Sequence, residues 1–436
     1  MKKITFIGTG YVGLVTGAGI SDFGHDVVCV DIDAEKIEKL NQGQIPIYEP
    51  GLEQLIRRNV EAGRLSFTTD VSQSIRDASI VFIAVGTPEG EDGSADLRAV
   101  FQVCETIARE LNGYKIICTK STVPVGTGKK IIATIRQLAP YKTFDYVSNP
   151  EFLREGAAVN DFLRPDRVII GATSERAFEL LRDVYRPLYI NETPMVHTNV
   201  ETAEMIKYAS NAFLALKISY INEVANLCEA VGADVHVVAK AMGIDGRISS
   251  KFLHPGPGFG GSCFPKDTKA LVHLAVEQDV ALRTIEAAVR ANEYQKQLMC
   301  EKLFRLLGPD KAGKKVAVLG LSFKPNTDDV RESPALYLVQ RLVREGVDVQ
   351  AYDPIANDAM ARHFPNLTYC RSWEEAVTGT QAVAIMTEWN EFRGLNLERL
   401  GELAAEKAVL DARNILSVQA LHDHGFRFEN VGRRTA

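Results

Sequence analysis

The 436-residue chain has no excess of positive charge: 50 Lys and Arg against 56 Asp and Glu give a formal net charge of −6. General nucleic-acid binding draws on a basic face, so no nucleic-acid partner is expected. An anionic small molecule held by a few local cations is still allowed. The chain also lacks paired cysteines. Cys29, Cys104, Cys118, Cys228, Cys263, Cys300 and Cys370 are odd in number and contain no C-x-x-C, which argues against a disulfide framework or a structural zinc site. No metal is expected. Most of these cysteines sit in apolar runs, as core thiols do, and a reducing, cytoplasmic compartment fits. No uninterrupted apolar run is long enough to span a membrane. The opening Met1-Lys2-Lys3 followed by apolar residues has the look of a leader. It reads instead as a first strand, because no small-residue cleavage site is evident and glycines follow at once. What remains is an ordinary globular balance, 46% hydrophobic and 24% charged, in a chain long enough for two or three domains.

The first pattern is strand, glycine loop, helix, strand, acid. Lys3–Ile7 is a short apolar strand running into Gly8-Thr9-Gly10-Tyr11-Val12-Gly13. Leu14–Phe23 reads as a helix stopped by Gly24, and Val27–Val30 closes on Asp31. A G-x-G-x-x-G triplet alone is weak. With both strands, and an acid 18 residues past Gly13, it is the fingerprint of a dinucleotide site. The pyrophosphate sits on the helix N-terminus, and Asp31 takes the adenosine ribose hydroxyls. A carboxylate there repels a 2′-phosphate, so the expected cofactor is NAD.

Further strands are expected at Ser79–Val85, Lys115–Thr119 and Asp145–Val147. The first two end in Gly86-Thr87-Pro88 and Lys120-Ser121-Thr122-Val123-Pro124. Ligands collect at the carboxyl ends of parallel strands, so Thr87 and Thr122 are candidate contacts, with plain turn chemistry as the other reading. Asn149–Gly156 follows. Glu151 and Glu155 share a face if this turn is helical; otherwise they are surface acids.

Thr198–Val231 is the longest helical pattern, roughly 50 Å at 1.5 Å per residue. Thr198-x-x-Glu201 reads as a capping box, and Gly232 stops the helix. Its apolar residues cover much of the circumference, so it is buried on most sides and is expected to join two domains and to pack against a second subunit. Lys207 and Asn211, four apart on one face, suggest a polar site set into it.

Gly256–Asp267 holds four glycines and two prolines in twelve residues and cannot be the interior of a regular element. Pro265 suits a first helical turn, with Thr268–Glu277 following as helix. Cys263 therefore stands just ahead of a helix N-terminus, where unpaired N–H groups and the dipole favour a thiolate. Lys266 adds charge nearby. The competing reading is an inert thiol in a turn. Helix is expected to about Leu307, then a linker at 308–313. Lys315–Gly320 echoes Lys3–Gly8, and Val347–Asp353 echoes Asp26–Asp31, without the glycine triplet. Strands near Ala382–Met386 and Val409–Leu410 complete this second α/β unit. Lys324, Arg247 and Arg413 are cations suited to an anionic substrate.

An NAD site and a thiolate in one chain suggest oxidation of an alcohol to an aldehyde, capture as a thiohemiacetal, oxidation to a thioester and hydrolysis. Lys207 and Asn211 are placed to stabilise an oxyanion, and Asp267 or Glu151 to handle protons or position water.

In Gly8–Gly13 with Asp31, Lys120–Pro124, Asn149–Gly156, Lys207 with Asn211, Gly258–Asp267, and Lys324 with Arg331-Glu332-Ser333, the chain resembles the UDP-glucose/GDP-mannose dehydrogenases over essentially its whole length. The resemblance implies two Rossmann-like doubly wound α/β domains bridged by a long central helix that dimerises. The implied division is 1–198 for NAD, 199–307 for the helical dimerisation region with the cysteine loop, and 308–436 for the nucleotide sugar. It implies a four-electron oxidation of UDP-glucose to UDP-glucuronate with two NAD and one water. By motif, Cys263 is then the nucleophile. Lys207 and Asn211 bind the reacting sugar end, Asp267 and Thr122 order water, and Glu151 assists acid–base steps. Gly8, Gly10, Tyr11, Val12, Gly13, Asp31, Lys36, Thr87, Thr122, Glu155, Lys266 and Arg331 attend NAD. Glu151, Phe152, Leu153, Glu155, Phe252, Leu253, His254, Pro255, Gly256, Gly260 and Lys324 hold the nucleotide sugar, joined by Arg247 and Arg413, with Arg247 able to serve a neighbouring subunit. Lys36 replaces an arginine found in some members. The same scaffold serves GDP-mannose and N-acetylated UDP-sugars. A two-electron hydroxy-acid dehydrogenase and a non-catalytic NAD-binding redox sensor are the other readings.

Overall fold

The computed structural model describes residues 1–90 and 93–433; the last three residues of the expected 308–436 region lie outside them. The chain divides into two compact units, Met1–Ser210 with His273–Gln278, and Asn211–Val272 with Asp279–Ala436.

The first unit is built on eight strands: β1 Lys3–Ile7, β2 Asp26–Val30, β3 Leu65–Thr68, β4 Ile80–Ile83, β5 Lys115–Thr119, β6 Phe144–Ser148, β7 Val168–Ala172 and β8 Met195–Thr198. Their order is β3-β2-β1-β4-β5-β6-β7-β8. Pairing is parallel as far as β6, β7 runs antiparallel to β6, and β8 is parallel to β7. The switch point between β1 and β4 lies beside the glycine loop, where an open α/β sheet binds ligands. Successive side chains on a strand point to opposite faces, so Phe6, Phe82 and Cys118 enter one core with Leu14 and Leu55. Val81, Ile83 and Ile117 enter another with Ile107 and Ile131. A sheet covered on both faces explains why β4 is apolar and buried throughout.

The second unit repeats the plan. Strands β9 Lys315–Leu319, β10 Asp348–Tyr352, β11 Thr368–Tyr369, β12 Ala382–Ile385, β13 Ala408–Asp411 and β14 Arg427–Glu429 lie in the order β11-β10-β9-β12-β13-β14, all parallel. Val316, Val318 and Leu410 face one core with Leu303 and Leu338; Leu319, Val383 and Val409 face the other with Trp373 and Phe392. The internal echo in the sequence is thus a duplicated doubly wound sheet.

The helix after the glycine loop is Tyr11–Asp22, starting earlier than Leu14 because Gly10 itself is the residue at which the chain turns. The long helix is Val200–Val231, and it runs from the first unit into the second. Its cap is not Thr198, which is the last residue of β8. Asn199 occupies the cap position, and its Oδ1 accepts the N–H of Thr202 at 2.8 Å. Asn199→Ala should cost about 1 kcal/mol. The check is a fall in thermal midpoint that Asn199→Asp, which keeps the acceptor, does not reproduce.

Candidate active site

In the first unit the three glycines of the loop have three jobs. Gly8 takes φ +106° at the end of β1, with room for no side chain against Ala84. A Cβ on Gly10 would meet only open space, whereas one on Gly13 would collide with the Gly8 carbonyl. Tight turn, open approach for a pyrophosphate and close helix–strand contact are the requirements of a dinucleotide loop, so the residues fit NAD. Asp31 accepts from the Thr9 N–H at 2.9 Å, the Thr9 hydroxyl at 2.6 Å and the Lys36 ammonium at 3.1 Å. Burial pushes its carboxyl up, but the Thr9 donors, the Asp33 N–H and Lys36 outweigh it, and the group settles at about 2. It is an anion at neutral pH, as a ribose-binding acid must be. Val12 lies in the first turn of the helix. The Tyr11 hydroxyl donates to Glu49, whose carboxylate also accepts the Gly156 and Ala158 N–H groups at 2.6 and 2.8 Å. Glu49, which sequence reasoning passed over, thereby ties the cofactor loop to the end of the Asn149–Gly156 segment.

That segment is not helical; helix begins only at Ala158. Glu151 and Glu155 therefore do not share a face. Glu151 is buried against Lys207, Nζ to Oε1 2.8 Å, the two side chains being 6% and 4% exposed. Glu155 is half-buried and lies in the electrostatic reach of Tyr11. Burial pushes the Glu151 carboxyl up; the Lys207 ammonium and the Leu153 N–H override this and leave it below the usual carboxylate range. Phe152 stacks under Arg167 at 3.7 Å and faces Lys207 at 5.3 Å. Behind them stands Lys120, buried, donating to Asn149 Oδ1 at 3.0 Å and to the Tyr185 hydroxyl at 3.3 Å. Burial pulls its ammonium down to about 8, with Lys207 pushing the same way and Cys118 and Glu151 opposing. Sequence reasoning quoted Lys120 within a motif but gave it no role. The Thr87 hydroxyl donates to the Thr122 carbonyl at 2.8 Å, and the Ser121 hydroxyl to Val85 O at 2.6 Å, so the turns after β4 and β5 are stitched together.

In the second unit, the helix carrying Asp267 is Phe264–Glu277, and Cys263 immediately precedes it, its carbonyl accepting the Asp267 N–H at 2.8 Å. Six of the seven cysteines are buried; Cys263 is half-buried. Burial pushes the Cys29, Cys104 and Cys300 thiols up to about 12. Buried, neutral thiols are inert. Asp267 is 1% exposed, accepting from Asn211 Nδ2 at 2.6 Å and from Lys266 Nζ at 2.8 Å. Lys266 is thus paired with Asp267, its side chain still 17% exposed.

The glycine loop is buried and pinned from several sides. Asn222 Oδ1 accepts the Gly256 N–H at 2.8 Å, Gln295 Nε2 donates to Gly256 O at 2.8 Å, and Asn292 bonds both the N–H and carbonyl of Phe259 at 2.7 and 3.0 Å. The Gly261 N–H donates to Arg331 O at 2.9 Å. A Cβ on Gly260 would strike the Glu332 backbone, and one on Gly261 the Phe323 ring. Arg413 donates to Phe323 O at 2.9 Å and Met386 O at 2.8 Å and lies alongside Gly256. Lys324 sits over the Phe323 ring at 5.2 Å. Gly256, Gly260, Lys324, Arg331 and Arg413 are therefore neighbours through this loop. Phe252 holds φ +64°, and its ring packs on Phe264 at 6.0 Å. Leu253 and Pro255 are buried, and His254 is exposed. Arg247 stands apart, its side chain 90% exposed and paired with Asp245. The Arg331 guanidinium pairs with Asp329 at 2.7 Å.

The second sheet's counterpart of Asp31 is Asp353. It is buried and accepts from Leu321 N, Ser322 N and Oγ, Trp389 Nε1, Ile355 N and Ala356 N. Asp31 is only partly buried, whereas Asp353 is buried and saturated by its own chain.

Residues 2–189 match the NAD binding domain, 201–294 the central domain and 317–418 the UDP binding domain of the UDP-glucose/GDP-mannose dehydrogenase family. A protein of Rhizobium meliloti (strain 1021) named UDP-glucose 6-dehydrogenase is 51% identical over 434 residues, 99% of this chain and 99% of its own length. A UDP-glucose dehydrogenase from the hyperthermophilic archaeon Pyrobaculum islandicum has a TM-score of 0.93 at 37% identity, covering 99% of this chain and 98% of that one. A UDP-D-ManNAc dehydrogenase from Pyrococcus horikoshii has a TM-score of 0.88 at 30% identity, covering 99% and 100%.

Lys207→Met should leave the Glu151 carboxylate buried without its cation, a loss on the order of 3–5 kcal/mol. Without Lys207 the Glu151 carboxyl rises, so the deficit should shrink as pH falls and Glu151 takes up a proton. Thermal melts across pH check this, and the double substitution with Glu151→Gln should recover part of the loss.

Proposed function

The chain belongs to the UDP-glucose/GDP-mannose dehydrogenase family, and from that premise we propose that it oxidises UDP-glucose to UDP-glucuronate with two NAD and one water, through a thioester on Cys263. The observation that carries the thioester is Cys263 itself. It is the one cysteine that is not buried, and it stands at the start of a helix, where a thiolate is favoured.

Gly8–Gly13 and Asp31, with Lys36 and Thr87, would hold NAD, which would supply the hydride acceptor for each of two oxidations. The chain's own part is to hold the sugar and move protons. The C6 alcohol gives up its hydroxyl proton and a hydride from carbon and becomes an aldehyde. The Cys263 thiolate adds to the aldehyde carbon, and the oxygen takes a proton to give a thiohemiacetal. Its oxidation leaves a thioester. Water then adds, the C–S bond breaks, and the carboxylate departs as the thiolate is restored. Lys207 and Asn211 steady the oxygen through these steps. Asp267, held by Asn211 and Lys266, orders water with Thr122. Glu151, kept ionised by Lys207, assists proton transfer. Lys324, Arg413 and the loop Phe252–Gly260 hold the nucleotide sugar, and Lys266, Glu155 and Arg331 complete the cofactor contacts. The division at 198 and 307 into cofactor, dimerisation and nucleotide-sugar regions is part of the same reading.

We also place the chain in the cytoplasm as a homodimer. No described helix is long and apolar enough to cross a membrane. Phe213, Tyr220 and Leu227 recur every seven residues along one side of the long helix, 60%, 48% and 62% exposed, while Ile221, Ala225 and Cys228 on the other side enter the core. An apolar stripe left exposed on an otherwise packed helix marks a face for a protein partner, here a second copy of the same helix.

With NAD and a panel of nucleotide sugars, two NADH should appear per UDP-glucose consumed. Two NADH with UDP-N-acetylmannosamine or GDP-mannose instead would keep the chemistry and change the substrate; one or none would remove the thioester. Cys263→Ser should abolish complete oxidation, and ordinary turnover in that variant would take Cys263 out of the mechanism. Leu227→Glu with Phe213→Glu should halve the mass seen by light scattering; an unchanged mass would remove this face from the dimer.

A further inference from the structure

The long helix carries one more buried charge, a turn before Lys207. Glu204 is 2% exposed. Its two oxygens accept the N–H of Gly126 at 2.7 Å and of Gly128 at 2.8 Å. Those are the leading amides of the helix Thr127–Leu138, whose cap residue is Gly126. The turn that this helix continues is Lys120–Pro124, which carries Thr122 and is tied to Thr87. Gly128 is packed so closely on Val200, Tyr146 and Glu204 that an added side chain would not fit. Hence the carboxylate holds the helix start from a fixed distance.

We propose that Glu204 is a positioning residue that sets Thr122 by clamping the start of the helix behind it. This rests on the reading of Thr122 as a residue that orders water. Burial raises the Glu204 carboxyl to about 7, outweighing the two amides. Glu201 on the same helix pushes it further up and Lys129 on the clamped helix down; those two pair with each other at 2.9 Å. The buried Tyr146 phenol also faces it. The clamp is strongest when Glu204 is ionised, because charge-assisted bonds are the stronger ones. The linkage to folding runs the opposite way. A carboxyl raised above its unfolded value contributes most below that value, and the contribution is lost as pH rises through about 7. Turnover and stability should therefore move in opposite directions over this range.

Glu204→Gln keeps the shape and one acceptor. Its kcat with UDP-glucose should fall roughly tenfold against the parent at about pH 8.5 and approach the parent near pH 6, with KM for NAD unchanged. Amide exchange over residues 120–128 should quicken. Lys129→Ala, outside the catalytic groups, should move the midpoint of the kcat profile upward. A pH-independent loss, unchanged exchange, or a midpoint unmoved by Lys129→Ala would overturn the clamp. Thr122→Ala separates the two ideas. If it turns over normally, the role of Thr122 fails while faster exchange in Glu204→Gln still supports the clamp. If it is impaired, the double variant should lose no more than Thr122→Ala alone, and additive losses would overturn action through Thr122.

Discussion

An ammonium or a carboxylate taken out of water needs a partner, and in the Lys207–Glu151 pair each is the other's. Its burial fixes more than two side chains. It ties the irregular Asn149–Gly156 segment to the long helix through Glu151. It places Phe152 between two cations. It also leaves Lys120, a third buried charge, dependent on Asn149 and Tyr185 for its bonds. Within the second unit the same rule holds for Asp267, which is buried only because Asn211 and Lys266 satisfy it. The polar positions of one helix thus dictate where loops on separate strands come to rest.

Duplication of the doubly wound sheet has been resolved into two tasks by small differences at equivalent places. β1 and β9 occupy the same rank in their sheets, as do β2 and β10. Asp31 and Asp353 follow the second strand in each. One keeps a glycine loop and a carboxylate that is partly exposed. The other is consumed by six donors of its own chain, the Trp389 indole among them. The strand-end acid of the second unit is thus taken up by the fold itself, and the cations Lys324, Arg331 and Arg413 cluster instead around the loop between 321 and 333.

The strands β1 and β9 and the glycine triplet were legible in the sequence because their signal is local, apolar runs a few residues long ending in glycine, and β5 because its apolar run ends in a proline-containing turn. The place of Cys263 just ahead of a helix was legible for the same reason, since proline and helix onset lie within four residues of it. Partners distant in sequence were not. Glu49 meets Gly156, Asn292 meets Phe259, and Glu204 meets Gly126, and no periodicity encodes such encounters. Thr198 was misread as a cap because Thr-x-x-Glu carries no information on where the preceding strand stops; Asn199, one residue on, had the freedom to turn. The last strands of the first sheet, β7 and β8, were not anticipated at all, being flanked by polar residues and proline rather than by turn glycines.

The stitching of Gly260 and Gly261 to Phe323 and to the backbone at Arg331 and Glu332 has a consequence for how this chain can change. The segment that would read the nucleotide and the segment that carries the thiol are in van der Waals register three residues from Cys263. Neither can be exchanged for a relative's version in isolation without reopening that seam. Altering what the second unit accepts is therefore a matter of transplanting both segments as one block, and drift in one is constrained by the other across more than sixty residues of intervening chain.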